Sequence, residues 1–286
     1  MSIKQFLTIL CIFGLLTMPT SCSRHYEQPL IIHAFPTNCG NTWKYVRQFY
    51  TICYDTVNND TTVYLITDTL YEKFVAIDTI ANWECYRLYR MHRYGYPFEI
   101  WWYAHPDTAL LWIAYLMGYH SCITDTKSGK NLKFNYKGCV FNSIEELATF
   151  LSFRRYGIKF SHKQDTMYWD TPKKLFVYPL SIGKSWVAMQ DPWIEKRRIV
   201  DIDYVEVPAD RYKTLKMEII SEWMEDKESW YQWISKHGII KDSLYIKGRL
   251  TDESGNEIGH FDAEEIYLLL AFSHTSTTIS SSLSMK

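Results

Sequence analysis

The stretch Tyr178-Pro179-Leu180-Ser181-Ile182-Gly183-Lys184-Ser185-Trp186 has an ungapped counterpart at Phe35-Pro36-Thr37-Asn38-Cys39-Gly40-Asn41-Thr42-Trp43. Both copies place an aromatic residue before a proline, a glycine four residues after the proline, and a tryptophan three residues after the glycine. Proline suits the start of a strand because it cannot donate to a ladder, and glycine permits a tight bend. Each copy therefore predicts the entry into a β-strand whose buried face begins at the tryptophan. The repetition predicts two related antiparallel sheet units.

The residues after each copy predict strands and hairpins. Trp43, Tyr45, Arg47 and Phe49 would share one strand face, since side chains alternate with period two. Turn-forming residues from 55 to 62 predict a hairpin connection in the first unit. The strands expected beyond these are Thr62 to Ile66, Tyr71 to Ile77 and Glu84 to Met91 in the first unit, and a hairpin of Arg198 to Val207 and Tyr212 to Ile220 around Pro208-Ala209-Asp210 in the second.

One helix is predicted between the units, from Ile144 to Tyr156. Ser143 and Glu146 form a capping box at its start, apolar residues recur at helical spacing after it, and Gly157 supplies the C-terminal stop. The predicted organisation is a signal peptide at 1–21, a tether at 22–34, β unit 1 at 35–125, a connector with the helix at 126–170, β unit 2 at 171–272 and a disordered tail at 273–286.

The composition favours strands and excludes a nucleic-acid partner. Trp, Tyr and Phe make up 16% of the 286 residues, and aromatic and β-branched residues fit sheets well. The formal net charge is -1, so no basic field is present to hold nucleic acid.

The N-terminus predicts export. Lys4 is followed by an apolar stretch from Phe6 to Met18, which is the pattern of a secretory signal and is too short to span a bilayer. The following Pro19-Thr20-Ser21-Cys22 resembles the lipobox of bacterial lipoproteins, which implies lipidation of Cys22 and anchoring to a membrane of the cell envelope. The alternative is ordinary cleavage near Ser21 or Ser23, which leaves Cys22 as a plain thiol or releases it with the signal.

Five cysteines remain in the mature chain besides Cys22, and none shows C-x-x-C spacing. Export permits disulfides, and Cys122 with Cys139 encloses a loop of hairpin length. The alternative is that the five are buried free cysteines acting as small apolar residues. His120 and Cys122 would share a strand face, but two ligands do not make a structural zinc site, so we expect no metal and no cofactor.

Local catalytic signatures such as G-x-S-x-G or H-E-x-x-H are absent from the sequence. A glycosidase would need two carboxylates across a cleft. Paired carboxylates occur at Glu145-Glu146, at Asp201 with Asp203 and at Glu264-Glu265, although roles in helix capping and on the surface explain them better. Two pairs of tryptophans are the candidate ligand-binding residues. The members of one pair are neighbours and those of the other are three residues apart, so in a strand they point to opposite faces and one of each pair must leave the inner core layer. These candidates are Trp101, Trp102, Trp230 and Trp233, with an apolar or sugar ligand or an envelope protein as the partner.

Two motifs carry a family resemblance. Tyr178 to Trp186 and Val207-Pro208-Ala209-Asp210-Arg211-Tyr212 resemble the aromatic-Pro-Leu-x-x-Gly-x-x-Trp and Val-Pro-Ala-Gly-x-Phe elements of uncharacterised exported bacterial β-rich proteins, often lipoproteins. Such sheets are more distantly similar to the curved, open β-barrels of periplasmic lipoprotein carriers.

The resulting expectation is a β-dominated α+β protein with two related antiparallel sheet units and one intervening helix. The resemblance to lipoprotein carriers suggests that these units are curved open-barrel sheets. The expected role is non-catalytic binding or scaffolding at the cell envelope. An extracytoplasmic hydrolase acting on glycans is the alternative.

Overall fold

The computed structural model describes residues 29–92, 98–117, 132–156, 166–225 and 227–275. Most of this part of the chain is antiparallel β-sheet, which confirms the β-dominated fold class. Among the described residues, no helix is long and apolar enough to cross a membrane. The predicted signal peptide, Cys22, Gly157, His120 and Cys122 lie outside the described residues, as does the tail beyond residue 275.

The elements up to the helix and the strand after it are β1 (Thr42–Asp55), β2 (Asp60–Ile80), β3 (Trp83–His92), β4 (Phe98–Ala104), β5 (Ala109–Met117), β6 (Lys133–Tyr136), β7 (Cys139–Phe141), α1 (Ile144–Tyr156) and β8 (Met167–Val177). The remaining strands are β9 (Ser185–Met189), β10 (Glu195–Val207), β11 (Asp210–Ser221), β12 (Ser229–Ser235), β13 (Gly238–Thr251) and β14 (Glu257–Ser273).

Twelve of the strands follow one path, in the order β8-β5-β4-β3-β2-β1-β14-β13-β12-β11-β10-β9. The short strands β6 and β7 extend from β13 outside this path. The sheet curves until its two end strands approach each other, so it forms a nearly closed, open-barrel-like wall around one core. The expected curved open-barrel sheet is confirmed.

The two halves of the chain are joined within this single sheet. β1 pairs with β14 from Thr42 opposite Ser273 to Asp55 opposite Gly259. β8 begins in the predicted connector, continues into the predicted second unit and pairs with β5 of the first. The first half thus contributes five consecutive neighbours to the path, β5 to β1, and the second half contributes β14 to β9 at one side of them and β8 at the other.

The two copies of the sequence motif adopt the same local backbone arrangement. The Asn41 amide donates to the Asn38 carbonyl at 3.1 Å, and the matching Lys184 amide donates to Ser181 at 3.2 Å. The glycines have left-handed φ values of 94° at Gly40 and 83° at Gly183, which glycine adopts without a Cβ penalty.

Each motif also exchanges two backbone hydrogen bonds with a bulged strand. Gly40 donates to Phe74, whose amide donates back to Asn41; Gly183 donates to Ile199, whose amide donates back to Lys184. Both partners lie at register shifts, in β2 and in β10. The matched residues therefore build matched strand entries, while duplication of the whole unit stays a prediction.

Period-two alternation along β1 places Trp43, Tyr45 and Phe49 in the main core, as predicted. We call the face that bears this core the inner face of the sheet. The predicted strands 62–66 and 71–77 are parts of one continuous strand, β2, because β1 pairs without a break with its residues 60–73 and β3 pairs with the rest. The predicted hairpin at 208–210 is present between β10 and β11.

The helix α1 has the predicted bounds and packs against the inner face. The Glu146 amide donates to Ser143 Oγ at 3.2 Å, and the Glu146 carboxylate accepts from the Asn142 amide at 2.8 Å, one residue before the position expected in a capping box. Ile144, Leu147 and Leu151 are buried in the main core.

The matched tryptophans differ in burial, which the sequence did not predict. Trp43 is 2% exposed and donates from Nε1 to the His237 carbonyl, whereas Trp186 is half-buried and donates to the Lys174 carbonyl. We expect Trp43→Ala to lower the free energy of unfolding by about 3–5 kcal/mol, the range for emptying an aromatic core site. Trp186→Ala should lower the free energy of unfolding by about 1–2 kcal/mol, because Trp186 buries less apolar surface than Trp43. Urea unfolding of both variants measures the difference, and equal losses would contradict it.

Candidate binding cavity

A cavity of about 70 Å³ lies on the inner face of the sheet. Its wall is formed by aromatic and aliphatic side chains with three polar ones among them. The lining residues are Phe35, Trp43, Glu72, Phe74, Leu88, Trp101, Tyr103, Leu110, Trp112, Leu175, Phe176, Arg197, Gln232 and Ile239. Both halves of the chain contribute, so the cavity depends on their being joined in one sheet.

Trp101 is the predicted binding residue that reaches this cavity. Alternation along β4 directs Trp101 inward and Trp102 to the opposite face. The Trp101 ring lies 4.5 Å from the Trp112 ring, measured between centroids, and the Arg90 guanidinium lies 3.9 Å from its centroid. Arg90 is itself held between Glu72 at 2.6 Å and Glu99 at 2.8 Å. The cation and the neighbouring indole therefore fix the orientation of Trp101.

The other three predicted aromatics are buried and do not line the cavity. Trp102 belongs to a second apolar cluster on the opposite face of β3, β4 and β5, and donates to Asp78. Trp230 is in the main core and donates to Asp242. Trp233 donates to Asp203, and its ring is flanked by the ammonium groups of Lys216 and Lys241.

The polar groups of the cavity differ in how they are satisfied. Gln232 donates from Nε2 to Asp242 at 2.7 Å, which fixes the assignment of its amide, and its buried Oε1 accepts no hydrogen bond from the described residues. Arg197 donates to Glu195 and to the Leu175 carbonyl. Burial raises the pKa of Glu72, although the charge of Arg90 opposes this. Among the described residues that line the cavity, Gln232 Oε1 is thus an unused acceptor, whereas Glu72 and Arg197 have charged partners.

A buried charge network lies beside the cavity and holds the helix in place. Glu265 of β14 accepts from Arg47 of β1 at 2.7 Å and lies 3.2 Å from the Arg155 guanidinium of α1. Arg155 also pairs with Asp242 of β13 at 3.3 Å. Burial disfavours the charged form of Glu265, but the charges of Arg155 and Arg47 outweigh it and lower the pKa of that carboxyl.

Four of the six carboxylates considered for a hydrolase have structural partners. Glu146 caps α1, Asp203 accepts from Trp233, and Glu264 accepts from Ser243. Glu265 belongs to the charge network. The structure therefore assigns each of these four groups a structural contact.

The cysteines of the described part of the chain are free thiols at Cys39, Cys53, Cys85 and Cys139. Burial raises the pKa of Cys53 to about 12. Cys139 is exposed at the start of β7, and its predicted partner Cys122 lies outside the described residues. Within the described ranges, no group of three or more His, Cys, Asp or Glu side chains is placed to hold a metal ion.

Comparison with known proteins gives two matches among solved structures. One is a "putative lipoprotein" from Parabacteroides distasonis, 9% identical, with a TM-score of 0.31 over 86% of this chain and 100% of that chain. The other is a "putative exported protein with YmcC-like fold" from Bacteroides fragilis, 12% identical, with a TM-score of 0.33 over 85% of this chain and 100% of that chain. At these scores the likeness carries no argument. No family model matches the chain, and no curated protein matches it.

The charge network generates a prediction for stability. Glu265→Gln should lower the free energy of unfolding at neutral pH by about 3–5 kcal/mol, because the buried Arg155 and the half-buried Arg47 guanidinium groups lose the negative charge that they share. The difference from the wild type should narrow as the pH falls below about 4, since the ionised form of a carboxyl with a lowered pKa stabilises only above that range.

Glu257→Gln is the matched control for this prediction. Glu257 pairs with Arg249 at 3.4 Å on the surface, where an ion pair contributes about 0–1 kcal/mol. Urea unfolding across pH compares the two variants. Equal effects, or a difference that persists in acid, would contradict the role assigned to the network.

Proposed function

We propose that this chain is an exported, lipid-anchored protein with a non-catalytic binding role at the bacterial cell envelope, and that the interior cavity receives an apolar part of its ligand. The observation that carries the binding role is Gln232 Oε1, which accepts no hydrogen bond from the described part of the chain and lies beside an aromatic wall. Ligand sites are mostly apolar with a few polar groups that fix orientation. A bound group would be apolar with one hydrogen-bond donor.

The size of the cavity selects among the expected ligands. A cavity needs roughly 10–15 Å³ to hold one water, and a dry engineered cavity of about 150 Å³ binds benzene. The interior cavity lies between these values, at about 70 Å³. A sugar ring is larger than benzene, so the cavity favours the narrow end of an apolar molecule over a whole sugar.

The cellular location rests on the N-terminal sequence. Lys4, the apolar stretch that ends at Met18, and Cys22 support export followed by lipidation. Stable anchoring takes more than one acyl chain, which a multiply acylated cysteine provides. The membrane, reached through this lipid, is the first proposed partner.

The anchor is tested by detergent-phase partitioning after expression in a bacterium that processes lipoproteins. The wild type should enter the detergent phase and Cys22→Ser should stay in the aqueous phase, because the variant lacks the acylated residue. Ser23→Ala is the control and should partition like the wild type. A wild-type protein that remains aqueous would refute lipidation.

The cavity is tested with dodecanoic acid brominated at its terminal carbon, which quenches tryptophan fluorescence on contact. Trp43, Trp101 and Trp112 line the cavity, so the wild type should be quenched saturably. Leu110→Phe narrows the cavity and should weaken binding about tenfold or more, a loss that corresponds to about 1.4 kcal/mol. Gln232→Leu should leave quenching by this acid unchanged, because its bromoalkyl end carries no donor for Gln232 Oε1. The same variant should weaken competition by 12-hydroxydodecanoic acid, whose terminal hydroxyl can donate to that acceptor.

Leu244→Phe controls for the strain of overpacking, which typically costs about 1–3 kcal/mol. Leu244 is buried in the same core but does not line the cavity. It should retain wild-type quenching despite a similar loss of stability. Quenching that is absent, or that falls equally in both phenylalanine variants, would refute binding in the cavity.

A further inference from the structure

The curved sheet is completed at two places, which differ in their bonding. One is the β1–β14 pair, which is hydrogen bonded throughout. The other is the seam between β8 and β9, the two ends of the path, where no backbone ladder is formed by the described residues. Every neighbouring pair along the twelve strands is antiparallel, and an odd number of steps separates the ends, so β8 and β9 are also antiparallel. Strand direction therefore does not explain the gap.

Side chains close one part of this seam. Lys173 of β8 pairs with Glu195 of β10 at 2.9 Å. The Leu175 carbonyl accepts from Arg197 at 3.0 Å, and the Lys174 carbonyl accepts from Trp186 at 2.9 Å. The three links each involve one of three consecutive residues of β8, at positions 173 to 175. Burial disfavours the charged form of Glu195, but the charges of Lys173 and Arg197 outweigh it and lower its pKa.

Beyond these links the seam opens into a cleft of about 320 Å³. The pairing of β8 with β5 is interrupted at this point. Trp112 of β5 is opposite Lys173, and Ala114 is opposite Tyr168. The four residues from Trp169 to Pro172 therefore bulge out opposite a single residue of β5. This bulge and the residues from Val187 to Asp191 form the walls of the cleft. We call this space the seam cleft.

Two neighbouring indoles connect the wall of the seam cleft with the wall of the interior cavity. Trp169 lines the cleft, and Trp112 lines the cavity. Their ring centroids are 5.4 Å apart, and the Trp169 ring is 5.6 Å from Tyr115. Trp169 Nε1 is buried and has no hydrogen-bond partner among the described residues, so its side chain is held by packing alone.

We propose that the seam cleft and the interior cavity are two parts of one elongated binding site for a chain-like amphipathic ligand. The apolar tip passes between β8 and β9, displaces the Trp169 indole and enters the cavity. The polar end stays in the cleft, where Asp170, Lys174 and Asp191 supply charges of both signs. This inference rests on the proposed function of the cavity and names the shape of ligand that can reach it.

A thiol-labelling experiment tests the passage without requiring a ligand. Leu110→Cys places a thiol in the cavity wall, and its reaction with methyl methanethiosulfonate is followed by mass spectrometry of the peptide that contains position 110. The native Cys53 thiol is buried and lines neither space, so its labelling in the same sample reports general unfolding. Adding Trp169→Ala should raise the rate at position 110 relative to Cys53 by about tenfold, because local opening then disrupts fewer buried contacts.

Trp193→Ala is the matched control. Trp193 is also partly buried against the core, its Nε1 is likewise unpartnered among the described residues, and it lines neither space. It should leave the ratio of the two labelling rates unchanged. Equal acceleration by both alanine variants, or none by Trp169→Ala, overturns the passage whether or not a ligand binds.

The brominated dodecanoic acid separates this inference from the proposed function. If the cavity binds the acid and the acid enters through the seam, stopped-flow quenching should show that the acid associates faster with Trp169→Ala than with the wild type or Trp193→Ala. Quenching of the wild type with no change in either rate for Trp169→Ala leaves the cavity as a binding site and refutes entry through the seam. Faster labelling with no quenching in any variant refutes the chain-like ligand and the proposed function together.

Discussion

The arrangement of Glu265 between Arg47 and Arg155 is the interaction on which the rest of the structure depends. It joins three elements that are far apart in sequence, namely β14, β1 and α1. Burying charges is costly unless they are paired and hydrogen bonded, so the geometry of this site tolerates little change. Ser152 of α1 also donates to Glu265, and Arg47 donates to the Ala148 carbonyl of the same helix. The helix position and the meeting of the two halves are therefore set by the same group of atoms, and the cavity lies beside it.

Local signals predicted local structure well in this chain. The capping residues and apolar spacing predicted α1, and turn residues predicted the hairpins that begin at residue 55 and at Pro208. The matched glycines predicted matched strand entries, since a left-handed backbone at Gly40 and Gly183 is a property of a few residues only. Period two also placed Arg47 on the same face as Phe49, but its partner Glu265 lies more than two hundred residues away. A pattern gives the face of a strand and not the neighbour across the sheet.

The same limit applies to the cavity. Trp101 was a candidate because aromatic doublets must use both faces of a strand, and it does line the cavity. Trp102 and Trp233 also leave the inner core, but other residues cover them, and strand alternation contains no information about what covers an outer face. Glu72, Arg197 and Gln232 were not predicted, because each is a single polar residue on a separate strand. Polar residues at inward positions of otherwise apolar strands were the available signal.

The pairing of β1 with β14 also determines when the fold can be completed. Thr42 has Ser273 as its partner, so the first strand of the sheet cannot be satisfied until nearly the whole chain is present. Non-local pairing of this kind slows folding, and an unpaired strand edge is exposed to other chains during the delay. Because the N-terminal end of a chain is synthesised first, β1 can pair with β2 early. Its other edge stays unpaired while the intervening strands are synthesised. β14 is the last strand to be synthesised, and its pairing with β1 completes the core. The sheet therefore cannot be completed until the C-terminal region is present.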